Sequence, residues 1–458
     1  MAENLIISIS GMRGVIGENL TPVIAAEYGC AFGTFLKDRA ESGERRLRVC
    51  IGRDSRVSGP MLLSAMAAGL CAVGVDVIDL GLVPTPSVGI MVRALESDGG
   101  IVITASHNPV PYNGIKLLLG NGMAPPADTA AEIKRAFLDK RFHLVGSTQC
   151  GKVVHNAETD RVHIEKVLAI VQAEQIAGKG YKVVLDSVNG AGGVITKRLL
   201  AELGCDVVAV NDEPTGLFAH EPEPTAANLT GLCRLVREEN ADLGFAQDPD
   251  ADRLAVVDEK GTYVGEEYTL ALAAKHIFST AGGTAAANLS TSRMIDDVAQ
   301  GAGSRVIRTP VGEAHVANAM IEHGCIIGGE GNGGVIDLRV GPIRDSLVGI
   351  VLVLQLMAET GKSLNELVHE IGGYSMHKDK FAADAEQAQR IMELAAEGFG
   401  DAKVNTDDGL RLDLADGWVH LRTSNTEPVM RVIVEARDEA AAQRYLEVVS
   451  GIRRQVLE

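Results

Sequence analysis

Strand–helix–strand units recur along most of this chain, and this repetition restricts its possible folds more than any other feature. A short apolar strand, Leu47–Ile51, precedes an all-round apolar helix, Pro60–Val75, and a strand Val75–Leu80 follows. Two further blocks of the same kind begin near Tyr181 and near Tyr268. Short glycine-rich connections between such elements predict parallel or mixed sheets covered by helices. Three blocks favour related layered domains over one closed barrel, which needs eight evenly spaced units.

The last part of the chain has a different pattern. Leu410–Asp413 and Trp418–Arg422 form a predicted strand pair, because Ala415-Asp416-Gly417 supplies turn chemistry between them. Val429–Ala436 alternates as another strand, and an amphipathic helix covers Glu439–Val456. With 458 residues, at roughly 100–200 residues per domain, the length predicts about three domains. From about residue 372 onward the pattern predicts a small α+β domain.

The charge balance excludes two classes of partner. Lys and Arg total 43 and Asp and Glu total 61, which gives a net charge of −18 with histidine neutral. Nucleic-acid-coating proteins gain affinity by neutralising phosphates, and an anionic membrane likewise needs a broad positive face. Aromatic residues make up only 4%, which disfavours stacking platforms for single strands. The sequence predicts no nucleic-acid and no membrane partner, whereas a small phosphorylated ligand samples only the local charge of its site.

Several features predict a cytoplasmic protein. The longest apolar stretches, 61–75 and 347–358, are shorter than the ~20 residues that cross a bilayer. The N-terminus carries Glu3 and a five-residue apolar run, which is not the pattern of a signal peptide. Seven cysteines contain no C-x-x-C pair, which favours buried free thiols in a reducing cytosol. Both a monomer and a homodimer stay open.

A polar turn with the sequence Thr104-Ala105-Ser106-His107-Asn108-Pro109 follows the apolar strand Gly100–Ile103. Open α/β sheets bind their ligands at the carboxyl ends of strands, so Ser106 stands where a reacting group is expected. A hydroxyl nucleophile needs a nearby base and a partner for its charge, and His107 and Lys116 are the candidates. The alternative is an ordinary polar turn in which serine and asparagine cap a helix.

Three aspartates alternate in the segment Asp248-Pro249-Asp250-Ala251-Asp252-Arg253. Carboxylates at every second position converge if the segment is extended or a loop, and hard divalent cations prefer such oxygen ligands. An EF-hand is rejected because Arg253 stands where glycine is needed and strands are predicted on both sides. The segment therefore predicts a Mg²⁺ site with few protein ligands. The alternative is a solvated acidic turn that Arg253 neutralises.

A glycine-rich segment, Gly328–Gly334, follows the apolar residues 325–327. Glycines let the backbone approach a ligand closely, and Glu330 and Asn332 offer acceptors and donors suited to sugar hydroxyls. The segment has neither the spacing of a Rossmann fingerprint nor the ending of a Walker loop. It predicts a sugar site, with a flexible turn as the alternative.

A fourth polar segment reads Arg422-Thr423-Ser424-Asn425-Thr426-Glu427-Pro428, and Arg431 follows it. Hydroxyls, an amide, backbone N–H groups and a guanidinium within so few residues are the groups that form a phosphate cradle. The segment predicts a phosphate site on the last domain, with a capped turn as the alternative.

These four segments, in this order and spacing, resemble the α-D-phosphohexomutase superfamily, which holds phosphoglucomutase, phosphomannomutase and phosphoglucosamine mutase. The resemblance covers essentially the whole chain and extends to four supporting segments, Ser10–Gly14, Gly52–Arg56, Tyr112–Lys116 and Thr309–Glu313. It implies an α/β fold with four domains around a central cleft, three of them related α/β domains with mixed sheets and the fourth a smaller α+β domain. The implied domains carry the phosphoserine, metal, sugar and phosphate loops in turn and cover residues 1–153, 154–258, 259–371 and 372–458.

The resemblance also implies the chemistry of the first two loops. Ser106 matches the serine that carries the phosphoryl group as phosphoserine. Asp248, Asp250 and Asp252 match the Mg²⁺ ligands, and an oxygen of the modified Ser106 completes the protein contacts. Lys116 matches a residue of proton transfer and is the expected base.

The remaining site residues follow from the same resemblance. His107 matches a residue that transfers a proton or orients the reacting group, and Arg13 and Arg253 match positive groups near the phosphoserine. The expected substrate contacts are Glu330 and Asn332 on the sugar loop and Arg422, Ser424, Asn425 and Thr426 on the phosphate loop.

The activity that the resemblance implies is the interconversion of hexose 6-phosphate and hexose 1-phosphate. Phospho-Ser106 gives its phosphoryl group to the sugar, and the bound hexose 1,6-bisphosphate, which also serves as primer, returns the other phosphate. In the family's usual Gly-Glu-x-Ser-Gly loop the variable residue is Gly331 here, and Asn332 replaces the serine. This departure resembles archaeal-type members, whose substrate ranges overlap, and leaves the sugar open. The Ser-Asn-Thr-Glu-Pro segment favours phosphoglucosamine mutase, with phosphomannomutase/phosphoglucomutase as the alternative.

Two other classes of function fit these segments less well than the mutase does. A metal-dependent sugar phosphatase also uses a hydroxyl and carboxylate-bound metal, but it needs no separate sugar and phosphate loops on later domains. A non-catalytic sugar-phosphate sensor has little reason to retain Ser106, Lys116 and three metal-type aspartates together.

Overall fold

The structure is a computed structural model that describes residues 5–8, 11–40, 45–423 and 429–457. Four sheets follow one another along the chain, three of them mixed and covered by helices and the fourth antiparallel, so the predicted fold class is confirmed. The sheets extend over residues 6–155, 182–258, 284–336 and 375–436. The domain boundaries expected after residues 153, 258 and 371 stay predictions.

The first domain is built on a seven-stranded sheet. Its elements are β1 (Ile6–Ser8), β2 (Gly11–Val15), α1 (Pro22–Arg39), β3 (Arg48–Arg53), α2 (Gly59–Ala72), β4 (Asp76–Leu82), α3 (Thr85–Ala94), β5 (Gly99–Ile103), β6 (Tyr112–Leu119), α4 (Ala127–Leu138) and β7 (Val153–His155). The strand order is β1-β2-β6-β5-β3-β4-β7. Strand β5 is buried along its whole length, as its unbroken apolar sequence predicts for a central strand.

The second domain is built on a four-stranded sheet with the order β11-β10-β8-β9. Its elements are α5 (Thr159–Leu168), α6 (Ala173–Ala177), β8 (Lys182–Asp186), α7 (Gly192–Glu202), β9 (Asp206–Val210), α8 (Thr230–Glu238), β10 (Leu243–Gln247) and β11 (Leu254–Asp258). Strands β10 and β11 form an antiparallel hairpin at one edge, and the other pairs are parallel.

The third domain has a four-stranded sheet with the order β13-β12-β14-β15. Its elements are α9 (Glu266–Thr280), β12 (Thr284–Asn288), α10 (Met294–Gly301), β13 (Arg305–Thr309), α11 (Glu313–His323), β14 (Ile327–Glu330), β15 (Gly334–Ile336), α12 (Ser346–Thr360) and α13 (Leu364–Ile371). Strands β12, β13 and β14 are parallel, and β14 turns back into the antiparallel β15.

The first three sheets share one pattern of four strands. Strands β4-β3-β5-β6, β9-β8-β10-β11 and β13-β12-β14-β15 each contain three parallel strands followed by one antiparallel strand. The prediction of three related domains is therefore confirmed at the level of topology. In each domain the last parallel strand and the antiparallel strand are joined by one turn, and these three turns carry the first three candidate loops.

The fourth domain has a five-stranded antiparallel sheet with the order β16-β20-β19-β18-β17. Its elements are β16 (Ser375–Ala382), α14 (Ala385–Gly398), β17 (Lys403–Asn405), β18 (Leu410–Asp413), β19 (Gly417–Thr423), β20 (Val429–Ala436) and α15 (Glu439–Leu457). The phosphate-loop segment joins β19 to β20, so the fourth candidate loop also belongs to a hairpin.

The most apolar stretch of the sequence is a core helix. Residues 346–358 of α12 are buried, and they pack in one hydrophobic cluster with Ile164 and Val167 of α5 and Ile176 of α6. No single helix among the described residues is both long and apolar enough to cross a membrane. Helices α12 and α13 reach that composition only as a pair, bent by 93°. Burial of α12 joins the second and third domains.

The cysteines are all free thiols, as predicted. Cys30, Cys50 and Cys325 are buried, whereas Cys150 is exposed, so the expectation of buried cysteines was wrong there. Cys150 follows α4 in a connecting segment, where its sulfur lies within 3.8 Å of the Gly146 carbonyl oxygen. Such connecting segments run over the surface.

A fully buried polar network joins the first three domains. Ser87 on α3 bonds the Nδ1 atom of His163 on α5 at 2.8 Å, and the Nε2 atom of His163 bonds Asp345 at 2.7 Å. Asp345 also caps α12, because its other oxygen accepts the Leu347 N–H at 2.9 Å. Buried polar groups are stabilising only when each has its partner, so this network specifies how the three domains pack.

We expect His163→Ala to lower the free energy of unfolding by about 2–4 kcal/mol, because it leaves the buried Asp345 carboxylate and Ser87 hydroxyl without their imidazole partner. Urea unfolding monitored by circular dichroism measures the change. His143→Ala is the matched control, since that imidazole is 56% exposed and has only a surface ion pair with Asp38. An equal effect of both variants would contradict the role of the network.

Candidate active site

Ser106 stands at the turn after β5 in a backbone conformation that few side chains adopt. Its φ angle is +49°, and the side chain is buried. Its N–H donates to Thr104 Oγ1 at 2.8 Å, and Thr104 donates in turn to Asp54 at 2.7 Å. The Ser106 hydroxyl donates to Asp248 Oδ2 at 2.9 Å and lies 3.3 Å from His107 Nδ1. Strained backbone of this kind is stored where the surrounding structure holds a functional group in place.

Arg56 binds the backbone of the serine turn and was not among the predicted site residues. Its buried guanidinium donates to the carbonyl oxygens of Ser106, Asn108, Pro109 and Tyr112 at 2.5–2.9 Å. It also pairs with Asp54 and lies over the ring of Phe218. The sequence contained a signal for Arg56, because the residue ends the supporting segment Gly52–Arg56.

The three aspartates converge at the turn between β10 and β11. All three side chains are buried, and one oxygen from each lies within 4.8 Å of the others. This burial shows that the alternative of a solvated acidic turn was wrong. Asp250 Oδ1 and Asp252 Oδ1 have no hydrogen-bond partner within the described chain. Buried carboxylate oxygens without partners are costly unless a cation binds them, so the residues fit a Mg²⁺ ion.

Lys116 from β6 reaches the aspartates from the first domain. Its ammonium lies 2.8 Å from Asp250 Oδ2 and 3.6 Å from Asp252 Oδ2. Burial disfavours its charge, but Asp250 and Asp252 outweigh burial and raise the pKa of Lys116. Burial likewise opposes ionisation of Asp250, yet Lys116 and the Thr85 hydroxyl lower its pKa. Burial and the two neighbouring carboxylates raise the pKa of Asp248.

The groups beside the serine turn include one neutral histidine and two arginines. Burial, with the nearby Arg253 and Arg13, lowers the pKa of His107 to about 3, so its imidazole is neutral near pH 7. Arg13 donates to Asn108 Oδ1 at 2.7 Å. Arg253 lies 3.8 Å from Glu223, and its buried Nε lies 3.9 Å from Asp252 Oδ1 but has no hydrogen-bond partner among the described residues. Both arginines leave N–H groups for an anion near Ser106.

The sugar loop is the turn between β14 and β15. The Glu330 carboxylate is buried and accepts from Asn288 at 2.7 Å, from the Gly312 N–H at 3.1 Å and from Arg344 at 2.8 Å. The Asn332 side-chain oxygen is buried and finds no donor in the part of the chain that the structure describes. Asn332 therefore presents a buried acceptor that is not bonded to any described residue.

Gly331, at the variable position of the sugar loop, has no room for a side chain. A Cβ atom at this position would overlap the carboxylate of Glu267, which comes from α9 beneath the loop. Glu267 accepts the Ser292 N–H at 3.0 Å and pairs with Lys378 of the fourth domain at 3.1 Å. Burial raises the pKa of Glu267 to about 7. The space that a larger residue would fill is thus taken by an ion pair between the third and fourth domains.

Arg344 is the second functional side chain absent from the sequence prediction. It lies between β15 and α12, and its guanidinium donates to Asp252 at 2.7 Å, to Glu330 at 2.8 Å and to Glu313 at 3.0 Å. No other described side chain bonds both the metal turn and the sugar-loop glutamate. No motif in the sequence includes Arg344, since its partners are 14 to 92 residues away.

The fourth domain brings Arg422 toward the sugar loop through Asp408. Arg422 pairs with Asp408 at 3.1 Å, and Asp408 accepts the Val311 N–H at 2.9 Å, next to the Gly312 N–H that bonds Glu330. The Arg422 Nε atom is buried without a partner among described residues. The other predicted phosphate-loop residues, Ser424, Asn425 and Thr426, lie outside the described residues.

Further contacts dock the fourth domain on the third. Arg293 donates to the carbonyl oxygens of Leu414 and Gly417, and its backbone N–H donates to Glu435 at 2.9 Å. Glu435 also accepts the indole N–H of Trp418 at 2.6 Å, and the Trp418 ring is fully buried. These contacts form a polar, directional interface between the two domains.

Two more side chains bridge the same interface. Arg411 lies over the Trp418 ring, with its guanidinium carbon 4.3 Å from the ring centre, and it donates to the Leu289 carbonyl oxygen. His420 lies 3.0 Å from the Ser290 hydroxyl, and burial lowers its pKa to about 4. The imidazole of His420 is therefore neutral at the interface.

Comparison with known proteins identifies the family of this chain. Models of the phosphoglucomutase/phosphomannomutase α/β/α domains I, II and III match residues 5–143, 161–261 and 265–374, and the model of the C-terminal domain matches residues 378–451. The chain belongs to the phosphoglucomutase/phosphomannomutase family. The predicted resemblance is thereby confirmed over nearly the whole length of this phosphohexomutase.

Similar proteins cover the phosphohexomutase end to end. A phosphoglucomutase/phosphomannomutase of Thermococcus kodakarensis is 40% identical over 96% of each chain. A probable phosphoglucosamine mutase of Methanopyrus kandleri is 38% identical over 98% of each chain. The crystal structure of a phosphoglucomutase/phosphomannomutase family protein from Burkholderia thailandensis is 28% identical, with a TM-score of 0.88 over 100% of this chain and 98% of that one.

We expect Arg56→Lys to lower turnover about 100-fold, because a lysine point charge cannot hold four carbonyl oxygens as a planar guanidinium does, and small misplacements of a reacting group are costly. Steady-state rates measure the loss. Arg48→Lys in the preceding strand β3 is the matched control, since Arg48 bonds only the distant Leu95 carbonyl oxygen with its side chain. Comparable losses in both variants would contradict the assignment.

Proposed function

We propose that this phosphohexomutase interconverts glucosamine 6-phosphate and glucosamine 1-phosphate through phospho-Ser106 and a bound 1,6-bisphosphate. The observation that carries the proposal is the Ser106 hydroxyl, which bonds Asp248 of the three-aspartate cluster at 2.9 Å. A serine nucleophile beside a cation site, with sugar and phosphate loops on later domains, fits phosphoryl transfer to and from a sugar. We place this small-molecule enzyme in the cytoplasm.

Asp248, Asp250 and Asp252 are the proposed Mg²⁺ ligands, together with an oxygen of phospho-Ser106. Two of their buried oxygens have no partner among the described residues, which supports a cation there. Mg²⁺, when bound, supplies positive charge that stabilises the transferring phosphoryl group. The aspartates themselves hold the site in place, since Asp248 Oδ1 accepts the N–H groups of Asp252 and Arg253 at 3.2 Å.

Lys116 is the proposed proton carrier. When the sugar hydroxyl oxygen attacks the phosphorus of phospho-Ser106, the bond from phosphorus to the Ser106 oxygen breaks, the hydroxyl loses its proton and the leaving Ser106 oxygen takes one up. Lys116 lies within 2.8 Å of Asp250 and faces the same cluster as Ser106. Its ammonium form, which the aspartates favour, donates a proton, and its amine form accepts one, so one residue serves both directions of transfer.

His107, Arg13 and Arg253 are proposed to orient the phosphoryl group. The neutral His107 brings no charge, and its Nδ1 atom lies 3.3 Å from Ser106 Oγ, which suits a hydrogen bond to the reacting oxygen. Arg13 and Arg253 carry the positive charge that offsets a dianionic phosphate. Arg13 and Arg253, together with Mg²⁺ when bound, supply the local positive charge that a phosphorylated sugar needs in a chain with net charge −18.

The substrate is proposed to lie between the sugar loop and the phosphate loop. Glu330 and Asn332 face the sugar, and Arg422 with Ser424, Asn425 and Thr426 grips the phosphate that does not react. The free Asn332 oxygen and the Arg422 Nε, neither bonded within the described chain, support these roles. Each unpaired buried group gains a hydrogen bond when the substrate enters.

The choice of sugar rests on the relatives. Among eight similar curated proteins, seven are named probable phosphoglucosamine mutase, at 35–38% identity, and one at 40% is named phosphoglucomutase/phosphomannomutase. The second candidate function is therefore phosphomannomutase/phosphoglucomutase activity through the same residues. A metal-dependent phosphatase is disfavoured, because it does not need the docked fourth domain.

We expect Ser106→Ala to lower mutase turnover at least about 1,000-fold with the fold intact, because the acceptor of the phosphoryl group is lost. Coupled assays with Mg²⁺ and hexose 1,6-bisphosphate present measure the rate, and circular dichroism checks the fold. Ser58→Ala serves as the control, since the Ser58 hydroxyl accepts a hydrogen bond from Asn113 at 2.9 Å and does not bond the aspartates. Rates near those of the unmodified protein in Ser106→Ala would refute the phosphoserine mechanism.

We expect kcat/KM for glucosamine 6-phosphate to exceed the values for glucose and mannose 6-phosphate by about tenfold or more, which corresponds to ~1.4 kcal/mol of transition-state binding. Parallel rate measurements with Mg²⁺ test this, and chelation by EDTA is expected to abolish all three activities. A higher value for glucose or mannose phosphate would favour the second candidate function. Release of free phosphate without isomerisation would favour the phosphatase.

A further inference from the structure

Arg344 occupies a singular position between the two halves of the site. Its Nη2 donates to Asp252 Oδ2 on the metal turn, and its Nη1 donates to Glu330 Oε2 on the sugar loop. Its Nε donates to Glu313 Oε2 at the start of α11. The guanidinium thus satisfies three carboxylates at 2.7–3.0 Å, one in the second domain and two in the third. A planar fork of donors is the group that makes such multiple contacts possible.

The backbone around Arg344 is fixed as firmly as its side chain. The Arg344 N–H donates to Glu313 Oε2 at 3.0 Å, and the next N–H, of Asp345, donates to the Val335 carbonyl oxygen at 2.8 Å. Asp345 caps α12 and bonds the buried His163. The Arg344 side chain is only 11% exposed. A group held in this way is preorganised, so it acts on its partners without first being ordered.

We propose that Arg344 is a positioning residue that couples the metal turn to the sugar loop. Its positive charge opposes the binding of Mg²⁺ at Asp252, and its planar guanidinium orients the Glu330 carboxylate toward the sugar. The inference rests on the proposed function, because it needs both the metal site and the sugar site. It adds a residue that neither loop contains. Arg344 touches the two carboxylates and not the reacting atoms, so it acts through Asp252 and Glu330.

The two contacts predict that removal of the guanidinium changes Mg²⁺ affinity and sugar affinity in opposite directions. Asp252 Oδ1 has no hydrogen bond and lies 3.9 Å from Arg253, whereas Oδ2 accepts from Arg344 and lies 3.6 Å from Lys116. Since the guanidinium of Arg344 is the nearest of these cations to the carboxylate, we expect it to repel a cation bound at Oδ1 and to weaken Mg²⁺ binding. At an effective dielectric constant of about 20, repulsion between a divalent ion and a nearby guanidinium exceeds the entropy of fixing one carboxylate rotamer. Removing Arg344 therefore strengthens Mg²⁺ binding.

The sugar side responds in the other direction. Without Arg344, Glu330 keeps its bonds to Asn288 and to the Gly312 N–H, both on Oε1, but loses the donor on Oε2. The carboxylate is then free to rotate away from the sugar. A merely structural role for Arg344 predicts instead that loosening the site weakens the metal and the sugar together.

The test compares Arg344→Met, which removes both the charge and the fork, with Arg344→Lys, which keeps the charge alone. Arg339→Met is the matched control, because Arg339 makes a similar forked pair with Asp337 but its side chain is 52% exposed and does not contact the site. Titration calorimetry of Mg²⁺ into each full-length protein without sugar measures metal affinity. Steady-state rates at saturating Mg²⁺ measure KM and kcat for glucosamine 6-phosphate.

We expect Arg344→Met to bind Mg²⁺ about tenfold more tightly and to raise KM about tenfold or more. Arg344→Lys is expected to bind Mg²⁺ within about threefold of the unmodified protein and still to raise KM about tenfold. Arg339→Met should change neither quantity by more than about twofold.

Weaker Mg²⁺ binding by Arg344→Met, or an unchanged KM in Arg344→Lys, would overturn the inference while leaving the proposed function intact. If Arg344→Met does not fold, Arg344→Lys decides the matter, because a raised KM with unchanged Mg²⁺ affinity supports the inference and a loss of both overturns it. Absence of Mg²⁺ binding by the unmodified protein would overturn the proposed metal site and this inference with it.

Discussion

Three buried carboxylates at one turn are the constraint on which the rest of the molecule depends. One oxygen from each of Asp248, Asp250 and Asp252 lies within 4.8 Å of the others, and all three side chains are buried away from water, where like charges are expensive to hold. The protein answers this charge from both neighbouring domains: Lys116 arrives from the first and Arg344 from the third. The first three domains therefore pack where they do partly because the aspartate turn needs their cations. Interdomain packing and the chemistry of the site share one electrostatic origin.

Much of the fold was predictable because its signals are local. Apolar strands such as Tyr181–Asp186, the turn at Ala415-Asp416-Gly417 and the helix from Glu439 each depend on residues close in sequence. Four candidate loops were also recognisable, since each keeps its polar residues within seven positions. The common position of three loops in equivalent hairpins was not predictable, because strand order depends on pairing between distant segments.

The residues that escaped prediction share a physical property. Arg56 and Arg344 bond carbonyl and carboxylate oxygens that other parts of the chain supply, so their roles can be recognised only in the folded structure. Arg56 at least stood in a quoted segment, whereas nothing near Arg344 in sequence distinguishes it from the exposed Arg339 five residues earlier. The exposure of Cys150 was not predicted for a similar reason, because its neighbours Gln149 and Gly151 do not indicate whether the thiol is buried.

The single tryptophan of the chain gives the molecule an optical property. Trp418 is fully buried, its indole N–H bonds Glu435, and Glu435 also holds the backbone of Arg293 across the interface between the third and fourth domains. Separation of these domains would hydrate the indole and remove the overlying Arg411 from its Leu289 partner. The fluorescence emission wavelength of Trp418 therefore reports domain separation, and stopped-flow fluorescence can measure the rate of that motion without an added label.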